Sequence, residues 1–318
     1  MAAFRMTDPA TKIPTRIAAA DLRSDLDLSR DELVSLLDLA ENVKRSPGRF
    51  TQSLRGQYLS LLFEKPSLRT RLTFELAIKQ LGGDAVTSMG VIGDREPLKD
   101  IARNLDRWTQ CIVARTFSQQ TIEELAAWSS APVINALSDM YHPCQALADI
   151  LTLRERYGNL AGRKVAFVGD GNNVAHSLML CATRLGMHFA LAHPQGYAAD
   201  PATIQKAREF GKVTGASVLI TDDPVEAVQG ADAVYADVWT SMGQEDQKRQ
   251  RLADFNGYQI NETLLSGAQP HAAFMHCLPA KRGEEVTDAV IESANSVVFD
   301  QAENRLHAQK ALLLMLLS

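Results

Sequence analysis

The sequence predicts an α/β protein of two domains, each a mostly parallel sheet flanked by helices, with the C-terminal helix returning to the first domain. Three observations lead there. Apolar runs of strand length alternate with segments of helical period, the pattern of βαβ units that build parallel sheets. The alternation comes in two series, separated by a long helix from His142 to about Tyr157 that Gly158 stops. The chain, at 318 residues, is long enough for two cores. The expected division is residues 1–150 and 151–302, with residues 303–318 completing the first unit.

Each element has its own signal. Ser29 is the N-cap of a first helix, with Glu32 as capping-box partner and Leu33, Leu36, Leu37 and Ala40 at helical spacing. Tyr58–Phe63 is an apolar strand. Ser67 caps a helix carrying Leu72, Phe74, Leu76, Ile78 and Leu81, which Gly82-Gly83 ends. Residues 84–96 read as irregular. Pro97–Trp108 and Thr121–Ser129 read as helices, and Gln110–Arg115 and Pro132–Asn135 as strands. In the second series the strands are Lys164–Val168, Phe189–Ala192, Ala216–Ile220, Ala233–Ala236, Ala273–Met275 and Ser296–Phe299. A final helix, Glu303–Leu317, carries a broad apolar face.

Composition narrows the function classes. Hydrophobic content of 46% and charged content of 22% suit a soluble globular protein. A net charge of −5 without a basic run argues against a nucleic-acid partner. No apolar run approaches the roughly 20 residues of a membrane span, and residues 1–20 lack the apolar core of a secretory signal. Cys111, Cys144, Cys181 and Cys277 form no CxxC pair, which fits reduced thiols in a cytoplasm. No metal and no cofactor are expected, because the seven histidines show no ligand spacing.

The chemistry concentrates in five places. Ser67-Leu68-Arg69-Thr70-Arg71 follows a strand and opens a helix. A helix start has unpaired N–H groups and a partial positive charge. Guanidiniums there oppose the helix dipole, so a bound phosphate dianion explains them better than helix stability does. The plain alternative is a capped helix with two solvated arginines. Arg115 ends a strand, where ligands of open α/β sheets bind. His142 and Gln145 share one face of a helix start and suit a carbonyl oxygen that gains negative charge. Gly169-Asp170-Gly171-Asn172-Asn173-Val174 has the place of a dinucleotide fingerprint. Val174 replaces its third glycine and the next strand leads into His193-Pro194 without an acid, so nicotinamide binding is disfavoured. Asp237 at a strand end can pair with an amine. Ser241-Met242-Gly243 lies beside the polar run 244–251, which is not expected to pack a core, and Thr240 to about Phe255 reads as a mobile cover. Cys277 is the best functional thiol, and its place at a strand end predicts sensitivity to alkylation.

Taken in order, Ser-x-Arg-Thr-Arg, Arg-Thr-Phe, His-Pro-x-Gln, Gly-Asp-x-Asn-Asn, Asp-x-x-x-Ser-Met-Gly, His-Cys-Leu-Pro and Asn304-Arg305-Leu306-His307 resemble the ornithine carbamoyltransferases of the aspartate/ornithine carbamoyltransferase family, from about Asp21 to the end. The resemblance implies transfer of the carbamoyl group of carbamoyl phosphate to the δ-amine of L-ornithine, within arginine metabolism. It implies that Ser67, Leu68, Arg69, Thr70, Arg115, His142 and Gln145 hold carbamoyl phosphate. Asn173, Asp237, Ser241 and Met242 would hold ornithine, and Cys277, Leu278 and Arg305 would lie at the reacting centre. It also implies a homotrimer with active sites at subunit interfaces. Leu68 stands where many members have threonine, and residues 84–96 contain no glutamine. The alternative substrates are those of sibling enzymes: putrescine, an N-acylated ornithine or aspartate. A dehydrogenase and a non-catalytic scaffold are the rivals from other classes.

Overall fold

A computed structural model describes residues 17–240 and 245–318. Its first sheet has the strand order β2-β1-β3-β4 and its second β7-β6-β5-β8-β9, and every pairing is parallel. The first sheet comprises β1 (Tyr58–Phe63), β2 (Asp84–Met89), β3 (Cys111–Arg115) and β4 (Val133–Leu137). The second comprises β5 (Lys164–Val168), β6 (His188–Ala192), β7 (Val218–Thr221), β8 (Ala233–Ala236) and β9 (Ala273–His276). Inner strands are buried on both faces, which is why β1, β3 and β5 read as continuous apolar runs.

Helices cover the first sheet: α1 (Arg30–Arg45), α2 (Leu68–Gln80), α3 (Leu98–Leu105) and α4 (Gln119–Trp128). The capping box of α1 forms as read, Ser29 accepting from Glu32 N and Glu32 from Ser29 N. Helix α5 (Pro143–Tyr157) crosses position 150 without a break and is buried from Pro143 to Leu153. Around the second sheet run α6 (Asn173–Arg184), α7 (Pro201–Thr214), α8 (Pro224–Val228), α9 (Lys248–Asp254), α10 (Glu262–Leu265) and α11 (Asp288–Ile291).

The last helix, α12 (Val298–Leu317), starts beside β9 and packs against α5, α1 and α2 of the first domain. Residues 311–316 are buried all round, as a helix inside a core must be. A change such as Leu312→Ala would cost about 2–5 kcal/mol by leaving a cavity. This return carries Arg305 to the seam between the sheets.

Three expectations are corrected. Residues 84–89 form a strand, β2. It pairs only with β1 and lies at the sheet edge, so its side chains stay largely exposed and give no apolar signal. Residues 296–299 are not a strand: Ser296 makes one bridge to Phe274, and Val298 already begins α12. A short apolar run does not by itself separate a buried strand from a helix end. The polar run 244–251 does reach a core, because Arg251 is buried.

Candidate active site

Loops at the carboxyl ends of the strands of both sheets face one another across the seam, the position where open α/β sheets bind ligands. On the first sheet, Ser67 follows β1 as the N-cap of α2, its hydroxyl accepting from Thr70 N at 3.3 Å. Leu68 turns outward, 67% exposed, and offers the site only its backbone. Arg115 sits at a register shift between β3 and β4, where Ala114 faces Asn135 and Arg115 faces Leu137. A bulge of this kind re-aims a side chain. Its Nη1 lies 3.5 Å from Thr70 Oγ1. From α12, Arg305 donates to the same Thr70 Oγ1 at 2.5 Å and to Gln145 Oε1 at 2.7 Å. His142 is the N-cap residue of α5 and is buried, with Nδ1 lacking any partner.

The electrostatics of this cluster are one-sided. Among the described residues, no carboxylate touches the guanidiniums of Arg69, Arg115 or Arg305, and the Nε atoms of Arg115 and Arg305 have no partner. Burial, then Arg305, lower the Arg115 pKa to about 10. Burial, then Arg305 and Arg115, hold His142 well below the usual histidine range, so its imidazole is neutral at pH 7. Buried like charges are costly, so the arrangement awaits an anion. Because Thr70 accepts from arginine, its own hydroxyl proton is free to point at a ligand.

The second sheet supplies a different kind of site. Asp237 follows β8 and is buried; Oδ2 accepts from Asn172 Nδ2 at 2.7 Å, and Oδ1 accepts from Val238 N at 2.8 Å and from the Cys277 thiol at 3.0 Å. Burial, then Asp237, push the Cys277 thiol well above its ordinary pKa, so it stays protonated. This direction opposes the sensitivity to alkylation that its place at a strand end predicts. Asn172 also caps α6 through Val174 N and Ala175 N. Asn173 donates to Ser138 O at 2.5 Å, across the seam. Leu278, at φ 56°, sends its N–H back to His276 Nδ1, so Nε2 carries the imidazole proton and faces Glu285. Asp237, His276 and Cys277 bring three potential metal-ligand atoms within 4.8 Å of one another. Both nitrogens of His276 are engaged by protein, so the set is a hydrogen-bonded cluster.

The fold therefore brings Ser67, Arg69, Thr70, Arg115, His142, Gln145 and Arg305 together on one side, and Asn173, Asp237, Cys277 and Leu278 on the other. Ser241 and Met242 lie outside the described residues. Sequence reading missed Asp149 and Gln301. Gln145 Nε2 donates to Asp149 Oδ1 at 2.8 Å, and Gln301 Nε2 donates to the same oxygen at 2.6 Å while its Oε1 accepts from His276 N. Burial pushes the Asp149 carboxyl up to about 7. The signal available was spacing: Asp149 stands one turn after Gln145, and Gln301 one turn before Arg305.

Comparison with known proteins agrees with this geometry. Residues 20–155 match the family described as aspartate/ornithine carbamoyltransferase, carbamoyl-P binding domain, and residues 161–316 match the Asp/Orn binding domain. An ornithine carbamoyltransferase of Thermus thermophilus is 52% identical over 290 residues, 90% of this chain and 93% of that protein. One from Listeria monocytogenes is 47% identical over 304 residues, 94% of this chain and 96% of that protein. The solved ornithine carbamoyltransferase from Pyrococcus furiosus superposes with a TM-score of 0.91 at 46% identity, covering 94% of this chain and 97% of that one. With both halves of the chain matched over nearly their whole length, the protein belongs to the aspartate/ornithine carbamoyltransferase family.

Proposed function

We propose that the enzyme transfers the carbamoyl group of carbamoyl phosphate to the δ-amine of L-ornithine, giving L-citrulline and phosphate. The observation that carries this reading is the uncompensated cluster of Arg115 and Arg305 on Thr70 with Arg69 nearby, close to Cys277, whose thiol contacts the carboxylate of Asp237. The cluster suits a phosphate dianion and the carboxylate suits an ammonium. The names of the relatives point the same way.

In this reading residues 1–150 with the C-terminal helix take carbamoyl phosphate, and residues 151–302 take ornithine. Phosphate oxygens sit at the start of α2 against Ser67 and the backbone of Leu68, with Arg69, Thr70 and Arg115. Gln145 acts by orienting Arg305. Asn173, Asp237, Ser241 and Met242 fix the α-amino and carboxylate groups of ornithine. The δ-amine, with a reference pKa of about 10 by analogy with lysine, loses its proton more readily in a positively lined site. The neutral amine attacks the carbamoyl carbon, a C–N bond forms, and the developing oxyanion is met by Thr70, Arg115 and neutral His142. The bond between the carbamoyl carbon and the bridging phosphate oxygen then breaks, and phosphate leaves with the electron pair as the nearest base for the amine's proton. Proximity and electrostatics supply the acceleration. Cys277 and Leu278 position the amino-acid side, and no covalent enzyme intermediate forms.

The assembly we infer is a homotrimer. Leu68, Leu72 and Leu76 form an exposed apolar row along α2, and Val86, Met89 and Val91 are exposed at the neighbouring sheet edge. This patch adjoins the phosphate site and suits a second copy of the chain. Its compartment is the cytoplasm, where four unpaired cysteines stay reduced. No described helix is long and apolar enough to cross a membrane. The test is citrulline formation with carbamoyl phosphate and ornithine, compared with putrescine, N-acetylornithine and aspartate as acceptors. A higher rate with any of those three would overturn the assignment, and a monomer by light scattering would overturn the trimer.

A further inference from the structure

Helix α6 of the second domain grips the loop 138–142 of the first with three side chains from one face. Asn173 Nδ2 donates to Ser138 O at 2.5 Å, His176 Nδ1 donates to Met140 O at 2.9 Å, and Ser177 Oγ accepts from His142 N at 2.9 Å. The third contact reaches a residue of the reacting centre. His142 O accepts from Gln145 N and Ala146 N, so the start of α5 fixes one side of that residue. Ser177 fixes the other, because His142 N lies ahead of the helical ladder. Both groups are buried, and a buried N–H needs an acceptor. The direction of the His142 imidazole therefore depends on where the Ser177 hydroxyl turns its lone pairs.

That hydroxyl is held from a third place in the chain. Asp25 belongs to the single helical turn Asp25–Asp27, which Leu22 anchors to the first sheet by a bridge to Ile134 on β4. The residue is 1% exposed. Its Oδ2 accepts from Ser177 Oγ, and its Oδ1 accepts from the Cys181 thiol at 3.3 Å, one turn further along α6. Arg184 Nη1 donates to the Asp25 carbonyl at 2.6 Å and to that of Leu28, which fastens the turn and places a cation beside the carboxylate. A serine hydroxyl has one proton and two lone pairs. With the proton committed to Asp25, a lone pair is left for His142 N. If packing were the whole task, an apolar side chain would fill this place at lower cost than a buried carboxylate.

We propose that Asp25 is a positioning residue for His142: by holding the Ser177 hydroxyl it aims the imidazole at the carbamoyl oxygen. Resting on the carbamoyl-transfer reading, this adds a determinant of turnover from the N-terminal segment of the chain. Removing the carboxylate frees the Ser177 proton, and kcat should fall roughly 10- to 100-fold, as for a small misplacement of a reacting group. The ornithine KM and the carbamoyl phosphate Kd should stay within about threefold, because Asp237 and the arginine cluster keep their partners.

The experiment measures these three quantities and thermal unfolding for wild type, Asp25→Ala, Asp25→Leu, Asp25→Asn and Ser177→Ala, and for His142→Ala with and without Asp25→Ala. Asp25→Leu fills the space without an acceptor. Asp25→Asn keeps an acceptor for Ser177 and should recover most of kcat. Ser177→Ala should match Asp25→Ala, since both break one link. In the His142→Ala background, Asp25→Ala should change kcat by less than about twofold, because the group it aims is gone. A kcat within twofold of wild type for whichever of Asp25→Ala and Asp25→Leu folds overturns the inference while the functional reading stands. So does a loss confined to KM or Kd, or a full-sized loss in the His142→Ala background. Failure of both Asp25→Ala and Asp25→Leu to fold also overturns it, and would make Asp25 a stability residue. A wild-type enzyme that makes no citrulline removes the functional reading first, and this inference with it.

Discussion

The two faces of the seam solve opposite problems. On the first domain, Arg115 and Arg305 crowd a threonine hydroxyl, with Arg69 a further cation beside them and no described carboxylate in contact, and the buried Nε atoms of Arg115 and Arg305 are left without partners. On the second, each group already has protein partners: Asp237 accepts from Asn172, Val238 N and Cys277. The phosphate side is strained electrostatically until an anion arrives, whereas the amino-acid side is held in place by its own hydrogen bonds. The difference favours an order of binding. Carbamoyl phosphate should bind well to the free enzyme, and its negative charge should then make the seam more hospitable to ornithine.

The strongest way to break this contrast is Arg305→Ala. It removes the cation that joins Thr70 to Gln145 and leaves Gln145 Oε1 without its donor. Loss of one preorganised donor of this kind lowers kcat by about 10²–10³-fold, and citrulline assays should show a fall of that size. An activity near wild type would mean that the cluster is not the reacting site. Arg69→Ala comes next. Half-buried Arg69 has its pKa lowered by burial and stands in the first turn of α2. A charge-assisted contact to a charged ligand is worth about 1.5–3 kcal/mol, so calorimetry should show carbamoyl phosphate affinity falling while the unfolding temperature holds. Unchanged affinity would remove Arg69 from the phosphate site.

Asp237→Asn tests the other face. The amide keeps the shape but cannot accept as a charge from an ammonium, and it alters the contacts with Asn172 and Cys277. Ornithine KM should rise by about tenfold or more, the lower end of what a charged hydrogen bond contributes. Carbamoyl phosphate affinity should be nearly unchanged. Equal impairment of both ligands would erase the division of labour between the two faces.

How far this contrast could be read in advance depended on where each residue sits. Ser67, Arg115, His142, Asp237 and Cys277 stand at strand ends and helix starts, where capping rules and open-sheet topology single out polar residues. Arg305 stands inside a long helix, and only the resemblance marked it. Asp149 and Gln301 were not read as part of the site, because the contact that makes them matter joins positions 152 apart in the chain. Edge strand β2 escaped notice because its side chains remain exposed, and Arg251 because a single buried arginine in a charged run looks like its solvated neighbours.

The smallest expected effect concerns Cys277, and it sharpens the contrast from the side of reactivity. The thiol donates to Asp237 and is held protonated by burial and by that carboxylate. A thiolate is the species that alkylating agents attack. At pH 8 iodoacetamide should therefore label Cys277 in the native enzyme at least about tenfold more slowly than a free cysteine. The rate should climb only at more alkaline pH. The linkage has a definite sign. The folded protein keeps this proton above the unfolded thiol pKa of about 8.5, so Cys277 contributes a loss of stability as pH rises past that point. Cys277→Ser preserves a donor to Asp237 and removes the thiol titration. Activity should drop by less than about tenfold, in line with roughly 1 kcal/mol for a neutral hydrogen bond. The decline in stability above pH 8.5 should become shallower. Labelling at the rate of a free thiol would show that the contact with Asp237 does not hold in solution, and a carbamoylated Cys277 trapped during turnover would overturn its role as a positioning group.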